Sequence, residues 1–221
     1  PPAPPPAPVD TGGGNAKADA PIISSPTHSD EALYYSSKKA KFTWDLPPDV
    51  TVVRLALDGS SSTQPTTAYD PAISEKEFTE LTDGVMYFHL KYKNDSGWGP
   101  TTHKKIMVDR TPPPVFEVAV VTDASSSDVI LKFVATDTLS GIDHYELSVD
   151  GGSPVKVSLS EMFTGEYLLT GQPVGDHKLK VTAFDKAANQ GEGAASFKIT
   201  YDAEAAKKGL DEGEAKPTDW R

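Results

Sequence analysis

Three groups of residues have the types and spacing to do chemistry. The first is Trp98, set between glycines in the run Asn-Asp-Ser-Gly-Trp-Gly-Pro that ends at Pro100. An exposed indole stacks on sugar rings or fills a partner's pocket. Tyr34, Tyr35 and Tyr69 are the tyrosines that could share a surface with it. The simpler expectation is that the Trp98 indole covers the end of its sandwich or the turn between the last two strands. The second group is Asp137 and Asp143, which flank Ser140-Gly141. Loop carboxylates and carbonyls can hold a calcium ion, but the Asp-x-Asp-x-Asp spacing of a helix–loop–helix calcium loop is absent. The simpler expectation has Asp137 ending one strand and Ser140-Gly141 turning into the next. The third group is the histidines His28, His89, His103, His144 and His177. None is spaced as paired metal ligands are on one helix face. His89 and His144 alternate with strand residues and are expected to face solvent. No metal is expected at a histidine pair.

Catalytic motifs are missing from the sequence. There is no Gly-x-Ser-x-Gly elbow, no His-Glu-x-x-His and no phosphate loop. A carboxylate pair working on a sugar needs a cleft. No catalytic residue, no enzyme activity and no cofactor is expected.

Composition narrows the partners. With 21 basic and 32 acidic residues the formal charge is 21 − 32 = −11, which disfavours nucleic acid and anionic lipid as primary partners. The chain has no cysteine, so disulfide staples and thiolate sites are excluded. No apolar run reaches the roughly 20 residues of a membrane helix, so the segment itself is not expected to insert. It opens on Pro1 with no basic, apolar leader, so any signal or anchor is expected to lie outside it.

The elements that must position these residues are short and alternate with period two, the mark of half-buried strands. Phe42, Trp44 and Leu46 alternate, as do Val53, Leu55 and Leu57, then Met86, Phe88, Leu90 and Tyr92, then Ile106 and Val108. After Pro112-Pro113-Pro114 the plan recurs with Val129, Leu131 and Phe133, then Tyr145, Leu147 and Val149, then Leu179 and Val181, then Phe197 and Ile199. Turn residues every ten positions or so suggest antiparallel sandwiches. The expected core includes Phe42, Trp44, Phe88, Leu90, Phe133, Tyr145, Leu147 and Val181.

The two halves overlay. Phe42 and Phe133 are 91 apart, Asp58-Gly59 and Asp150-Gly151 are 92 apart, Gly84 and Gly175 are 91 apart, and Asp109 and Asp202 are 93 apart. That is a domain-sized internal repeat. The expected organisation is a Pro/Gly-rich linker over 1–20, a sandwich over 21–110, a proline hinge over 111–114, a second sandwich over 115–202 and a charged tail over 203–221. Polyproline and glycine runs at one end and a short charged stretch at the other cannot bury a core, so disordered termini are expected.

The first half, through its Phe-x-Trp strand, "DGVMYFHLKYKNDSGWGP" and the following "VDRTPP", resembles fibronectin type III-like modules of bacterial and archaeal surface proteins. The second half, through "ATDTLSGIDHYELSVDGG" and "KVTAFDKAANQGEGAASFKITYD", resembles bacterial Ig-like modules. The resemblance implies an all-β fold of two tandem Greek-key β-sandwiches, fibronectin type III-like then Ig-like. It also implies an extracellular, cell-surface segment of a larger prokaryotic, membrane-anchored protein, acting in spacing or adhesion. The partner expected is a cell-surface glycan or protein, the segment itself being a monomer. An alternative is a glycan- or protein-binding accessory module of a secreted or surface hydrolase.

Overall fold

The computed structural model describes residues 16–201. Its strands are β1 (Ile23–Ser24), β2 (Tyr34–Tyr35), β3 (Ala40–Trp44), β4 (Val52–Asp58), β5 (Thr67–Tyr69), β6 (Glu75–Phe78), β7 (Gly84–Asn94), β8 (Gly97–Val108), β9 (Val118–Thr122), β10 (Val129–Phe133), β11 (Ile142–Val149), β12 (Val155–Ser158), β13 (Glu166–Leu169), β14 (Gly175–Asp185) and β15 (Gln190–Ile199). A short 3-10 turn covers Leu159–Glu161. No helix among the described residues is long and apolar enough to cross a membrane. The described residues divide into two compact units, 16–33 with 37–108, and 34–36 with 109–201.

In the first unit a sheet of order β1-β3-β6 faces one containing β5-β4-β7-β8 in that order. The chain crosses between sheets from β3 to β4 and again from β6 to β7, so each sheet buries its alternate residues against the other. Ala40, Phe42 and Trp44 of β3 are buried while Lys41 and Thr43 are only half-covered. Phe88 of β7 lies at the centre, stacked on Phe42 at 4.1 Å between ring centroids and on Trp44 at 5.7 Å. The Trp44 indole N–H donates to the Ile73 carbonyl at 2.7 Å, so a large ring is buried without an orphaned donor.

The second unit repeats this order. Sheets β13-β10-β9 and β12-β11-β14-β15 enclose a core built on Leu131, Phe133, Tyr145, Leu147 and Val181. Strands β7 and β14 each run 11 residues and open on Gly84 and Gly175, both with positive φ, at the same offset of 175 − 84 = 91.

Two boundaries differ from the sequence expectation. Residues 16–20, expected as linker, lie along β8. Ala18 is buried in the first core, the Asn94 amide donates to the Ala16 carbonyl, and the Thr102 hydroxyl donates to the Pro21 carbonyl. Gly99 permits this approach, because a Cβ there would fall on the Ala18 carbonyl. The rest of the expected linker and the tail lie outside the described residues. The proline run 111–114, expected as a hinge, is attached to the second unit. Pro113 is buried, and a Cβ on Gly191 of β15 would overlap its carbonyl. Proline supplies no N–H, so this stretch packs by shape rather than by a ladder.

Candidate functional site

The outward face of β4, β7 and β8 carries the densest set of chemistry-bearing side chains in the first unit. Because β4 buries Val53 and Leu55, it turns Arg54 and Asp58 outward. Because β7 buries Phe88, Leu90 and Tyr92, it turns Tyr87, His89, Lys91 and Lys93 outward. Ladder pairing sets the rows: Asp58, Tyr87 and Lys105; Ala56, His89 and His103; Arg54, Lys91 and Thr101. Between Lys91 and Lys93 the register shifts, which brings Trp98 opposite Lys93. An irregularity of this kind re-aims side chains. The Arg54 guanidinium lies 4.4 Å from the Trp98 ring centroid and the Lys91 ammonium 5.3 Å from it. Trp98 is thus the second residue of β8, just past the hairpin turn, and is half-buried beneath two cations.

His89 differs most from expectation. It lies on the outward face yet is fully buried. Its Nδ1 is 2.6 Å from Nδ1 of His103, and its Nε2 is 3.3 Å from Asp58 Oδ1. A proton on Nε2 donates to Asp58, which leaves Nδ1 to accept from His103. Burial pushes the His89 imidazole below its ordinary value, which the Asp58 carboxylate only partly offsets. Asp58 is held low first by the Ser60 amide, then by the Thr63 hydroxyl and His89. The two histidines are far apart in sequence and meet because β7 and β8 form a hairpin. Equal counting from the turn at Asp95-Ser96 would set His89 opposite Thr102; the register shift between Lys91 and Lys93 moves its partner to His103. His144, also expected in solvent, is half-buried, stacked on Phe184 at 4.6 Å.

The other aromatic candidates go elsewhere. Tyr69 pairs with Val53, so it lies on the core side of the sheet, with Lys76 at 5.3 Å. Trp98 and Tyr69 are on opposite faces and share no surface. Tyr34 and Tyr35 are half-buried on β2, grouped with the second unit.

In the second unit Asp137 does not meet Asp143, which is exposed and bonded to His144. It converges instead with Asp109 and Asp185, one oxygen of each lying within 4.8 Å of the others. Asp137 accepts from the amides of Leu139, Ser140 and Gly141, Asp109 from those of Thr111 and Ser140, and Asp185 from those of Ala187 and Asn189. Oxygen-rich sets of this kind suit a hard cation such as calcium. What they do here is tie three loops together. Asp109 and Asp185 read in sequence only as strand ends; nothing local says that they meet.

A further carboxylate–histidine pair joins β14 to the turn after β11. His177 Nδ1 is 2.7 Å from Asp150 Oδ2 and Nε2 is 2.9 Å from the Pro173 carbonyl. Both neighbours accept, so the doubly protonated ring fits, and the Asp150 bond holds His177 above its ordinary value of 6.5. His89 and the buried His28 are shifted the other way, by burial. A raised histidine stabilises below pH 6.5, and that contribution is lost as pH rises through its folded value. A lowered one stabilises above pH 6.5, and its contribution is lost as pH falls. Acidification from about pH 8 to about pH 5 is therefore expected to lower the urea midpoint of the first unit and raise that of the second. Trp44 fluorescence and the amide resonances around Tyr145 read the two separately. Midpoints moving together would contradict this assignment.

Among solved structures the chain is similar to fibronectin(III)-like modules of Clostridium thermocellum CbhA. The identity is 11%, with 90% of this chain and 100% of that chain covered and a TM-score of 0.46. It is also similar to the FN1-FN3 domains of chicken CNTN1, at 17% identity, with 81% of this chain and 67% of that chain covered and a TM-score of 0.40. No family model and no curated protein matches the sequence. The fold rests on the strand order itself. Both units are antiparallel β-sandwiches in which a three-stranded sheet faces one containing the order β5-β4-β7-β8 in the first unit and β12-β11-β14-β15 in the second.

Proposed function

We propose that this chain is a non-catalytic spacer or adhesion segment of a larger prokaryotic surface or membrane-anchored protein, held outside the cell. The observation that carries the reading is the repetition of one seven-stranded plan, with long hairpins β7–β8 and β14–β15 at the same offset. Carboxylates of the kind that chemistry uses are engaged in holding loops: Asp137 in three backbone bonds, Asp58 on Ser60 and Thr63, Asp150 on Lys178. Such a module folds by itself and holds a distance. A second reading, a binding module that accompanies a secreted or surface hydrolase, is favoured by the cation-covered Trp98.

The test is labelling of intact producing cells with a membrane-impermeant amine reagent. Lys38 and Lys39, with side chains about half exposed, are expected to react before lysis. Labelling only after lysis would place the chain inside and overturn the proposal. Turnover of a glycan, ester or peptide by the purified chain would remove its non-catalytic part.

A further inference from the structure

Several lysines of the first unit are ion-paired, Lys76 of β6 lies over the Tyr69 ring, and a further group gathers on one sheet face. On the sheet β1-β3-β6 and its surroundings, Lys38, Lys39 and Lys41 pair with Glu80, Glu77 and Glu75. At the β8 edge, Lys104 pairs with Glu31. On the outward face of β4-β7-β8, Arg54, Lys91, Lys93 and Lys105 have no ion pair among the described residues. The carboxylate on that face, Asp58, faces His89 and the loop that follows it. Four uncompensated cations on three neighbouring strands are unusual in a chain of formal charge −11.

Their placement costs energy. Arg54 and Lys91 are direct ladder partners, and like charges directly opposite destabilise a sheet. Trp98 offsets part of this through its ring face. The buried Nε–H of Arg54 has no hydrogen-bond partner. A buried donor left unmade is costly, and together with the facing cations it marks this face as one that folding alone does not optimise. The covered Nε–H is out of reach from solvent; what an incoming anion would relieve is the repulsion between the facing Arg54 and Lys91. The surface is the open face of a sheet, suited to a polymer lying across it. Cations repeat along the strand at Lys91 and Lys93 and across strands at Arg54, with an aromatic ring among them.

We infer that this face binds an acidic polysaccharide, its carboxylate or sulfate groups meeting Arg54, Lys91 and Lys93 while a sugar ring packs against the Trp98 edge. A more densely charged polymer such as nucleic acid is disfavoured by the chain's formal charge of −11. At physiological salt, screening over about 8 Å lets this local face act on its own. The inference rests on the adhesive side of the proposed function and names what is bound.

The test is affinity of the full chain for polygalacturonate and for dextran sulfate, with neutral dextran and a DNA duplex as comparators. Micromolar to millimolar binding that weakens as salt rises is expected for at least one acidic glycan. The double variant Lys91→Gln/Lys93→Gln is expected to lose about tenfold. Lys38→Gln/Lys39→Gln, just before β3 and ion-paired with Glu80 and Glu77, is expected to bind as the parent does. Both variants leave the core untouched, and an unchanged melting temperature verifies it. Trp98→Ala should weaken binding even if its salt dependence persists. Binding to neutral dextran alone would keep adhesion and overturn the anionic face. Tighter binding to DNA, equal loss in both lysine doubles, or no binding to either acidic glycan would overturn it too.

Discussion

Phe88→Ala is expected to destabilise the first unit by about 3–5 kcal/mol while leaving the second unit's unfolding midpoint unchanged. Phe88 is fully buried, stacked on Phe42 and Trp44 and edge-on to Phe78 at 5.8 Å. Truncation therefore removes one ring's burial and leaves three others facing a void. Domains of this size hold roughly 5–15 kcal/mol, so the loss is a large share of the total. With a urea slope of about 1–3 kcal/mol per molar, the midpoint should fall by at least about 1 M. Trp44 fluorescence reads that unit, since the indole touches the altered ring. A loss below about 1 kcal/mol would mean that the aromatic stack is not a packed core. A matching drop in the second unit would mean that the two do not unfold as separate cooperative bodies.

The second large effect is expected at Asp185, where two opposing terms can be weighed. Asp185→Ala strips an acceptor from the amides of Ala187 and Asn189 and from the Asn189 side chain. Buried donors left unpaired cost about 1–3 kcal/mol each. Against this, removing a charge relieves repulsion from Asp109 and Asp137, whose oxygens lie within 4.8 Å, worth about 3–4 kcal/mol per neighbour before screening at an effective dielectric of about 20. The half-buried setting of Asp137 and the amides already on both carboxylates reduce that relief. The hydrogen-bond term wins, and Asp185→Ala is expected to cost about 2–4 kcal/mol of the second unit's stability. Asp185→Asn keeps an oxygen for the two backbone amides and sheds the charge but turns an NH2 toward the Asn189 side-chain donor, so its stability should fall between those of the parent and Asp185→Ala. The first unit already has this solution: Asn94, at the corresponding end of β7, donates to Asp49 and accepts from the Ser96 amide. Urea unfolding followed by tyrosine signals checks both variants. Greater stability in Asp185→Ala would show that repulsion, not loop anchoring, dominates the cluster.

Much of the fold was legible along the chain because its cause is local. A residue's face in a strand depends on parity alone. The alternation of Ala40, Phe42 and Trp44 or of Val129, Leu131 and Phe133 therefore names the buried side chains before any pairing is known. All eight residues expected in the core, from Phe42 to Val181, are buried. The repeat was legible for the same reason, since Gly84 and Gly175 open equivalent strands where positive φ is needed.

The site depended on what parity does not carry. Parity puts His89 outward, and it is outward; its burial comes from Tyr87, His103 and Asp58 on adjoining ladder positions. Trp98 faces Arg54 because the register shifts between Lys91 and Lys93, a displacement without a residue-type signal. Asp137 meets Asp109 and Asp185 instead of Asp143 because three separate chain segments end at one place. Strand identity, repeat and core came from near-neighbour chemistry written in the sequence. The uncompensated cationic face, the buried imidazole and the carboxylate trio came from cross-strand register and loop closure, which only the folded chain decides.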